Sequence, residues 1–164
     1  LKTLLLVRHA RAEAGDAGTA DHDRALDARG RQDASEMGQR LAARSLRPDA
    51  IVSSTALRAR TTAELVAAEL GVDARRIRLQ EALYNASGAA LLDEVIRLDD
   101  ALDCVMLVAH NPGLTELAHR FDDAVGHLAA GAVTGFRFPA ASWGEALHQR
   151  PGSFLFLQPR QGRD

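Results

Sequence analysis

The stretch Leu1-Lys2-Thr3-Leu4-Leu5-Leu6-Val7-Arg8-His9-Ala10 decides how the rest of the 164 residues is read. Residues 3–7 are short, apolar and without alternation, which predicts a strand covered on both faces. The run stops on an arginine and a histidine. In open α/β sheets functional groups gather beyond the carboxyl ends of the strands. Arg8 and His9 are therefore the first residues to weigh for chemistry. The same run lacks the length and cleavage region of a signal peptide. No apolar run reaches the roughly 18–20 residues of a membrane span.

Working outward, residues 12–24 are rich in alanine, glycine and aspartate and read as a loop. Asp27 is a candidate N-cap, and Ala34, Met37, Leu41 and Ala42 follow at helical spacing. Pro48 closes that connection, and residues 50–53 form a second short strand. Ser54 or Thr55 is placed to cap a helix reaching about Leu70, with Gly71 as its stop. Residues 76–79 predict a weaker strand. Residues 88–98 predict a helix with Leu91, Leu92, Val95 and Ile96 as its apolar stripe. Residues 104–109 give another buried strand. Asn111-Pro112 then reads as a cap with proline at the first helical position, and that helix reaches about Phe121. Late strands fall at 134–138 and 154–158. Strands alternating with helices imply an α/β fold with a mostly parallel central sheet and helices on both faces. No repeat or linker divides it, so residues 1–164 are expected to form one domain.

Hydrophobic residues make up 46% and charged residues 26%, the balance of a globular protein. Cys104 is the single cysteine, so no intrachain disulfide can form. The net charge of -2 argues against a nucleic-acid or membrane-surface binder. A cytoplasmic location is expected.

Three strand ends supply a matching set of side chains. The first gives Arg8 and His9, the second leads through Ser53 to Leu57 into Arg58, and the fourth ends at His110. Two arginines and two histidines would meet at one rim, where two helices also begin. A phosphoryl group suits such surroundings, because guanidinium forks pair with its oxygens and helix N-termini favour anions. A neutral imidazole can attack phosphorus and carry it as phosphohistidine. Arg8 beside His9 would repel a divalent cation, so no metal and no cofactor are expected.

These residues carry a resemblance. Arg8-His9-Ala10 is similar to the Arg-His-Gly signature of the histidine phosphatase, or phosphoglycerate-mutase-like, superfamily. Ser54-Thr55-Ala56-Leu57-Arg58-Ala59-Arg60-Thr61-Thr62 resembles its Ser-x-x-x-Arg-Ala-x-x-Thr pattern, and His110 matches its later histidine. The segment from Asp21 to Gly30 resembles the Asp-x-x-Arg-Pro-Leu-Thr-x-x-Gly stretch of the short SixA-type phosphohistidine phosphatases. The match runs from residue 3 to about 120. It implies a phosphatase with His9 as the phosphorylated nucleophile and Arg8, Arg58 and His110 holding the phosphate. It places Asp21 and Arg24 beside the pocket. It puts Glu81 where the superfamily carries its proton donor, with Asp21 as the second candidate. The implied substrate is a phosphorylated protein bearing phosphohistidine, or else a small phosphomonoester. Ala10 departs from the signature glycine, which a methyl tolerates if φ is negative. Ala25 and Asp27 stand for the usual Pro and Thr, and Asn85 for a glycine.

The remaining candidates have plainer readings. His22 lies in the polar loop near the pocket, with exposure the default. His119, His127 and His148 have no partner spacing and read as surface residues. Cys104 reads as core, and Trp143 and Tyr84 as isolated aromatics. A phosphate-binding α/β module without turnover is the alternative from another class. The nucleophile-like placement of His9 argues against it, because binding alone needs no nucleophile.

Overall fold

Six strands form one sheet in the computed structural model, which describes residues 1–160. They are β1 (Lys2–Arg8), β2 (Ala50–Ser54), β3 (Ile77–Gln80), β4 (Cys104–Ala109), β5 (Val133–Phe138) and β6 (Ser153–Leu157). Their order is β3-β2-β4-β1-β5-β6. β3, β2, β4 and β1 run parallel, while β5 is antiparallel to β1 and β6 to β5. The expected α/β architecture with a mostly parallel sheet is present.

Helices α1 (Ala28–Ala43) and α2 (Leu57–Leu70) cover one face of the sheet. Helices α3 (Gly88–Ile96), α4 (Gly113–Phe121) and the short α5 (Trp143–Ala146) cover the other. The unbroken apolar run of β1 follows from this sandwiching. Leu5 and Val7 pack with Met37, Leu41 and Val66 on the first face, while Leu4 and Leu6 pack with Leu91, Leu117 and Phe121 on the second. Each such side chain contributes about 1.5–3 kcal/mol by leaving water. Truncating Leu5 or Leu6 to alanine would cost about 2–5 kcal/mol.

The helix boundaries follow local chemistry, not always as the sequence suggests. Asp27 does cap α1, its Oδ1 accepting the Gly30 N–H at 2.7 Å. Gly71 ends α2 at φ 68°. Neither Ser54 nor Thr55 caps α2, which starts later at Leu57. Their hydroxyls are engaged elsewhere: Ser54 Oγ accepts the Ala56 N–H at 3.2 Å and lies against His110, while Thr55 Oγ1 lies 2.8 Å from His22. Pro112 is the cap residue of α4 and not its first helical residue. Asn111 Oδ1 instead accepts from the N–H and hydroxyl of Thr115 at 3.1 and 2.9 Å. α3 stops at Ile96, and Ser87, unread in the sequence, caps it through the Ala90 N–H. Three single turns of 3-10 helix, Asp21–Asp23, Ala74–Arg76 and Glu81–Leu83, were also invisible to periodicity, being shorter than one period.

Both ends of β1 are pinned. At its start Lys2, almost fully buried, donates to the carbonyls of Asp100 and Leu102 and pairs with Asp103. Past its end the carbonyls of Arg8 and His9 accept from the N–H of Gly131, whose φ of 80° suits a residue without Cβ.

Candidate active site

β1 and β4 are neighbours in register, with Arg8 opposite Ala109, so the residues following them emerge side by side. These are His9 and His110, with ring centroids 5.1 Å apart. β2 lies beyond β4, and the turn after it carries Arg58 on the first turn of α2. A cavity of about 520 Å³ opens at this rim, lined by Arg8, His9, Asp21, Arg58, Asn85 and His110, with Arg11, Arg24 and Asn111 also contributing. A larger cleft of about 720 Å³ lies at the amino ends of the strands, lined by Arg47, Asp73, Arg75 and Arg76. It holds no histidine, cysteine or serine, whereas the smaller cavity holds two histidines.

His9 is buried, and its Nδ1 lies 2.8 Å from the Ala10 carbonyl. A carbonyl can only accept, so Nδ1 carries the proton and Nε2 is left with its lone pair. Burial lowers the pKa of His9 to about 4, helped by the charges of Arg58 and Arg8, so the ring is neutral at pH 7. The following turn is held by Thr62. Its Oγ1 accepts the Ala10 N–H at 3.0 Å and donates to the Arg58 carbonyl at 2.8 Å. Ala10 is not at positive φ, so the methyl is accommodated as expected. His110 is likewise neutral, burial and then the neighbouring His9 lowering its pKa to about 3. Its Nε2 lies 2.8 Å from Ser54 Oγ.

The cations are partly engaged. Arg58 is buried, donating from Nη1 to the Asp21 carbonyl at 2.7 Å and from Nη2 to Asp21 Oδ2 at 3.1 Å. Arg8 donates from Nη1 to the Leu128 carbonyl at 3.0 Å. Arg8 Nε, Arg58 Nε and His110 Nδ1 are buried without a partner among the described residues. An unsatisfied buried polar group costs about 1–3 kcal/mol. Three of them, on three residues lining one cavity, suit a ligand with several acceptor oxygens. Asp21 is the only carboxyl among the lining residues. The Tyr84 hydroxyl, donating to Oδ2 at 2.5 Å, together with Arg24 and Arg58, holds it well below the usual carboxylate range.

A family model matches residues 4–90, which carry Arg8, His9, Asp21, Arg24 and Arg58 in the arrangement just described. The chain belongs to the histidine phosphatase superfamily (branch 1). His110 lies beyond the matched span and joins the site through the β1–β4 pairing. An uncharacterised protein of Mycobacterium tuberculosis is 38% identical over 112 residues, spanning 68% of this chain and 67% of the relative. Two solved structures, assigned as SixA phosphohistidine phosphatases, superpose over nearly the whole chain. The one from Nakamurella multipartitia has a TM-score of 0.81 at 28% identity and covers 96% of each chain. The one from Agrobacterium tumefaciens has a TM-score of 0.81 at 26% identity, covering 96% of this chain and 99% of the other.

In this member of the superfamily the structure brings together Arg8, His9, Asp21, Arg24, Arg58 and His110. It does not bring Glu81 to them. Glu81 is exposed at the end of the edge strand β3, on the same rim but outside the cavity lining. Asp21 is present, but as a carboxylate held ionised by its three donors, which does not fit the second-choice role of proton donor. The loop after Glu81 contributes Tyr84 and Asn85 instead. Asn85 has φ 52°, so it occupies the left-handed region that glycine would otherwise fill. Gly113 lets this loop approach, since a Cβ there would fall 2.0 Å from the Ala86 carbonyl oxygen.

Tyr84 and Ser54 were missed as site residues. Tyr84 sits edge-on to both His22 and His110, with centroids at 4.9 and 5.5 Å. A lone tyrosine carries no spacing signal. Ser54 stands inside the quoted motif, yet a serine before a helix reads first as a cap. His22 is half-exposed and lies 2.8 Å from Thr55. His119, exposed as expected, still reaches the Val125 carbonyl. His127 and His148 are exposed. Trp143 is fully buried and Cys104 half-buried, its thiol pushed up to about 11 by burial. Among the described residues no group of three or more His, Cys, Asp or Glu is placed to hold a metal ion. No helix among them is long and apolar enough to cross a membrane.

Proposed function

We propose that the protein is a phosphatase working through a phosphohistidine intermediate on His9, with protein phosphohistidine as substrate. The observation that carries this is the wiring of His9: Nδ1 bound to the Ala10 carbonyl, Nε2 open, beside unpartnered donors of Arg8, Arg58 and His110. His9 Nε2 attacks phosphorus, the substrate's P–N bond breaks, and its electron pair leaves with the imidazole. The positive charge that develops on His9 is met at Nδ1 by the Ala10 carbonyl. The phosphoryl oxygens gather on the guanidinium and imidazole donors, which is where most catalysis of this transfer comes from. Water then attacks phosphorus, the Nε2–P bond breaks, and inorganic phosphate leaves.

The identity of the leaving group is supported by the state of Asp21. It is the one carboxyl among the lining residues, and it is held ionised, so it offers no proton to a departing alkoxide. An imidazole arrives already protonated on its distal nitrogen and needs little help. The likeness to structures assigned as SixA points the same way. A small phosphomonoester with a good leaving group is the second reading, since a solved structure of the same fold is a mycobacterial glucosyl-3-phosphoglycerate phosphatase. The partner on the first reading is a phosphorylated protein, and neither reading calls for a cofactor or metal. The test is a panel of a phosphohistidine protein, an aryl phosphate and an alkyl phosphate, with acid quenching omitted so that phosphate on His9 survives. Acid-labile phosphate trapped on His9, with fastest turnover of phosphohistidine, is expected. Turnover without a covalent intermediate would overturn the mechanism, and preference for the alkyl phosphate would overturn the substrate.

A further inference from the structure

We propose that Ser54 is a positioning residue that fixes the tautomer of His110, so that His110 presents Nδ1–H to the phosphoryl oxygens. The proposal rests on the phosphatase reading above. A neutral imidazole has one N–H, and the hydrogen bond made by one nitrogen decides the state of the other. His110 is such a ring and lines the cavity, so what binds its Nε2 decides whether its Nδ1 is a donor or a lone pair.

Ser54 is fully buried at the end of β2, which pairs with β4 just before His110. Its Oγ has two neighbours: the Ala56 backbone nitrogen at 3.2 Å and His110 Nε2 at 2.8 Å. A backbone N–H can only donate, so Oγ accepts from Ala56. The hydroxyl hydrogen then has Nε2 as its acceptor. Nε2 must therefore be the lone-pair nitrogen, and Nδ1 carries the proton. The opposite tautomer would aim two N–H groups at Oγ and leave the serine hydrogen buried without an acceptor, which is unfavourable. It would also turn the Nδ1 lone pair toward the anion. Nδ1 is the buried nitrogen of His110 without a protein partner, alongside Nε of Arg8 and of Arg58. In this tautomer all three are donors. The chain of contacts thus runs from the start of α2, through Ser54, to the phosphoryl site. His9 is wired in the opposite sense, with Nδ1 engaged and Nε2 open.

The first measurement is the tautomer itself, by 15N NMR of the histidine rings in the free wild-type protein at pH 7. The Nδ1–H form of His110 is expected, and the Nε2–H form would overturn the proposal whatever the activity. The second is kinetic. S54A should lower kcat on the aryl phosphate by about 10-fold or more, short of the ~10²–10³ for losing a donor outright. S54A should also show His110 moved toward Nε2–H, which loss of packing alone would not produce. The third uses the amide variants. The H110N side-chain amide places a donor near Nδ1 that needs no serine, so adding S54A to H110N should cost less than about 2-fold. An equal S54A loss in both backgrounds would make Ser54 a packing residue and sink the proposal. If no phosphate ester or phosphohistidine is turned over, the phosphatase reading fails, while the NMR result still decides the wiring.

Discussion

The two halves of the cavity rim are built differently. Arg8, His9, Ser54 and His110 stand at the ends of three adjacent parallel strands. His9, Ser54 and His110 are buried, and hydrogen bonds fix their orientation. Asp21, Arg24, Tyr84 and Asn85 come from two loops, and the Asp21 side chain is about half exposed, at 49%. The strand-end half offers an open nitrogen and unpartnered donors. The loop half is already paired, Asp21 with Arg24 and Tyr84 within it and with Arg58 across to the strand-end half. The difference suggests a division of labour, with chemistry on the rigid half and charge balance and leaving-group fit on the other.

The harshest test of that division is His9→Ala. It should abolish both turnover and trapped phosphate, measured by steady-state assay and by mass spectrometry under alkaline quench. Wild-type rates in the variant would remove His9 as nucleophile. Next come Arg58→Ala and His110→Ala, each expected to lower kcat/KM by ~10²–10³. Their melting temperatures should move by only a few degrees, because each holds a buried nitrogen unpartnered among the described residues, and truncation removes that cost. A collapse of melting temperature in step with activity would make them structural residues.

This contrast also explains what the sequence disclosed. A buried parallel strand needs a continuous apolar run, so β1 and β4 stand out, and the polar residue ending each is conspicuous. Hence His9, Arg8 and His110 were legible, as was Arg58 after β2. The loop half has no such signature. Tyr84 reaches the site only because Asn85 adopts positive φ and Gly113 lets the loop close on α4. Glu81 illustrates the converse: its position along the chain matched a family pattern, but the edge strand β3 leaves it exposed and outside the cavity. Side-chain competition escaped notice too, since Ser54 could cap a helix or hold His110, and only the packed strands reveal which.

The halves should separate in their response to pH. His9 and His110 have pKa values of about 4 and about 3, below the ordinary 6.5 that applies when unfolded. Between those values the unfolded chain binds protons that the folded one does not. Stability therefore rises with pH across that window and falls on acidification from about 6.5 toward 4. Asp21 acts in the same direction but in a lower window: its depressed pKa adds stability that is full above the usual carboxylate range and is lost as pH falls below it. Thermal melts at pH 7.5 and 5 should show a larger acid loss in wild type than in H110N, by a few degrees at ~2–4 °C per kcal/mol. Equal losses would mean that His110 is not held neutral by burial.

Two loop variants should give the smallest effects. Tyr84→Phe removes one of the donors to Asp21 while Arg24 and Arg58 keep it charged. A partly exposed hydrogen bond of about 0.5–1 kcal/mol corresponds to a ~2–5-fold rise in KM with kcat nearly unchanged. A large fall in kcat instead would move Tyr84 into the chemistry. Glu81→Gln is the mildest. The carboxyl is exposed and is not among the residues lining the cavity, so it is not expected to deliver a proton to a leaving group. An activated aryl phosphate and a phosphohistidine protein need no such proton, and their kcat/KM should stay within about 2-fold between pH 5 and 8. An alkyl phosphate is the discriminating substrate, because an alkoxide leaves poorly unless protonated as the bond breaks. If Glu81 plays no part, the alkyl phosphate is slow in wild type and equally slow in the variant. A loss confined to the alkyl phosphate would show that the loop closes during turnover and carries Glu81 into the cavity.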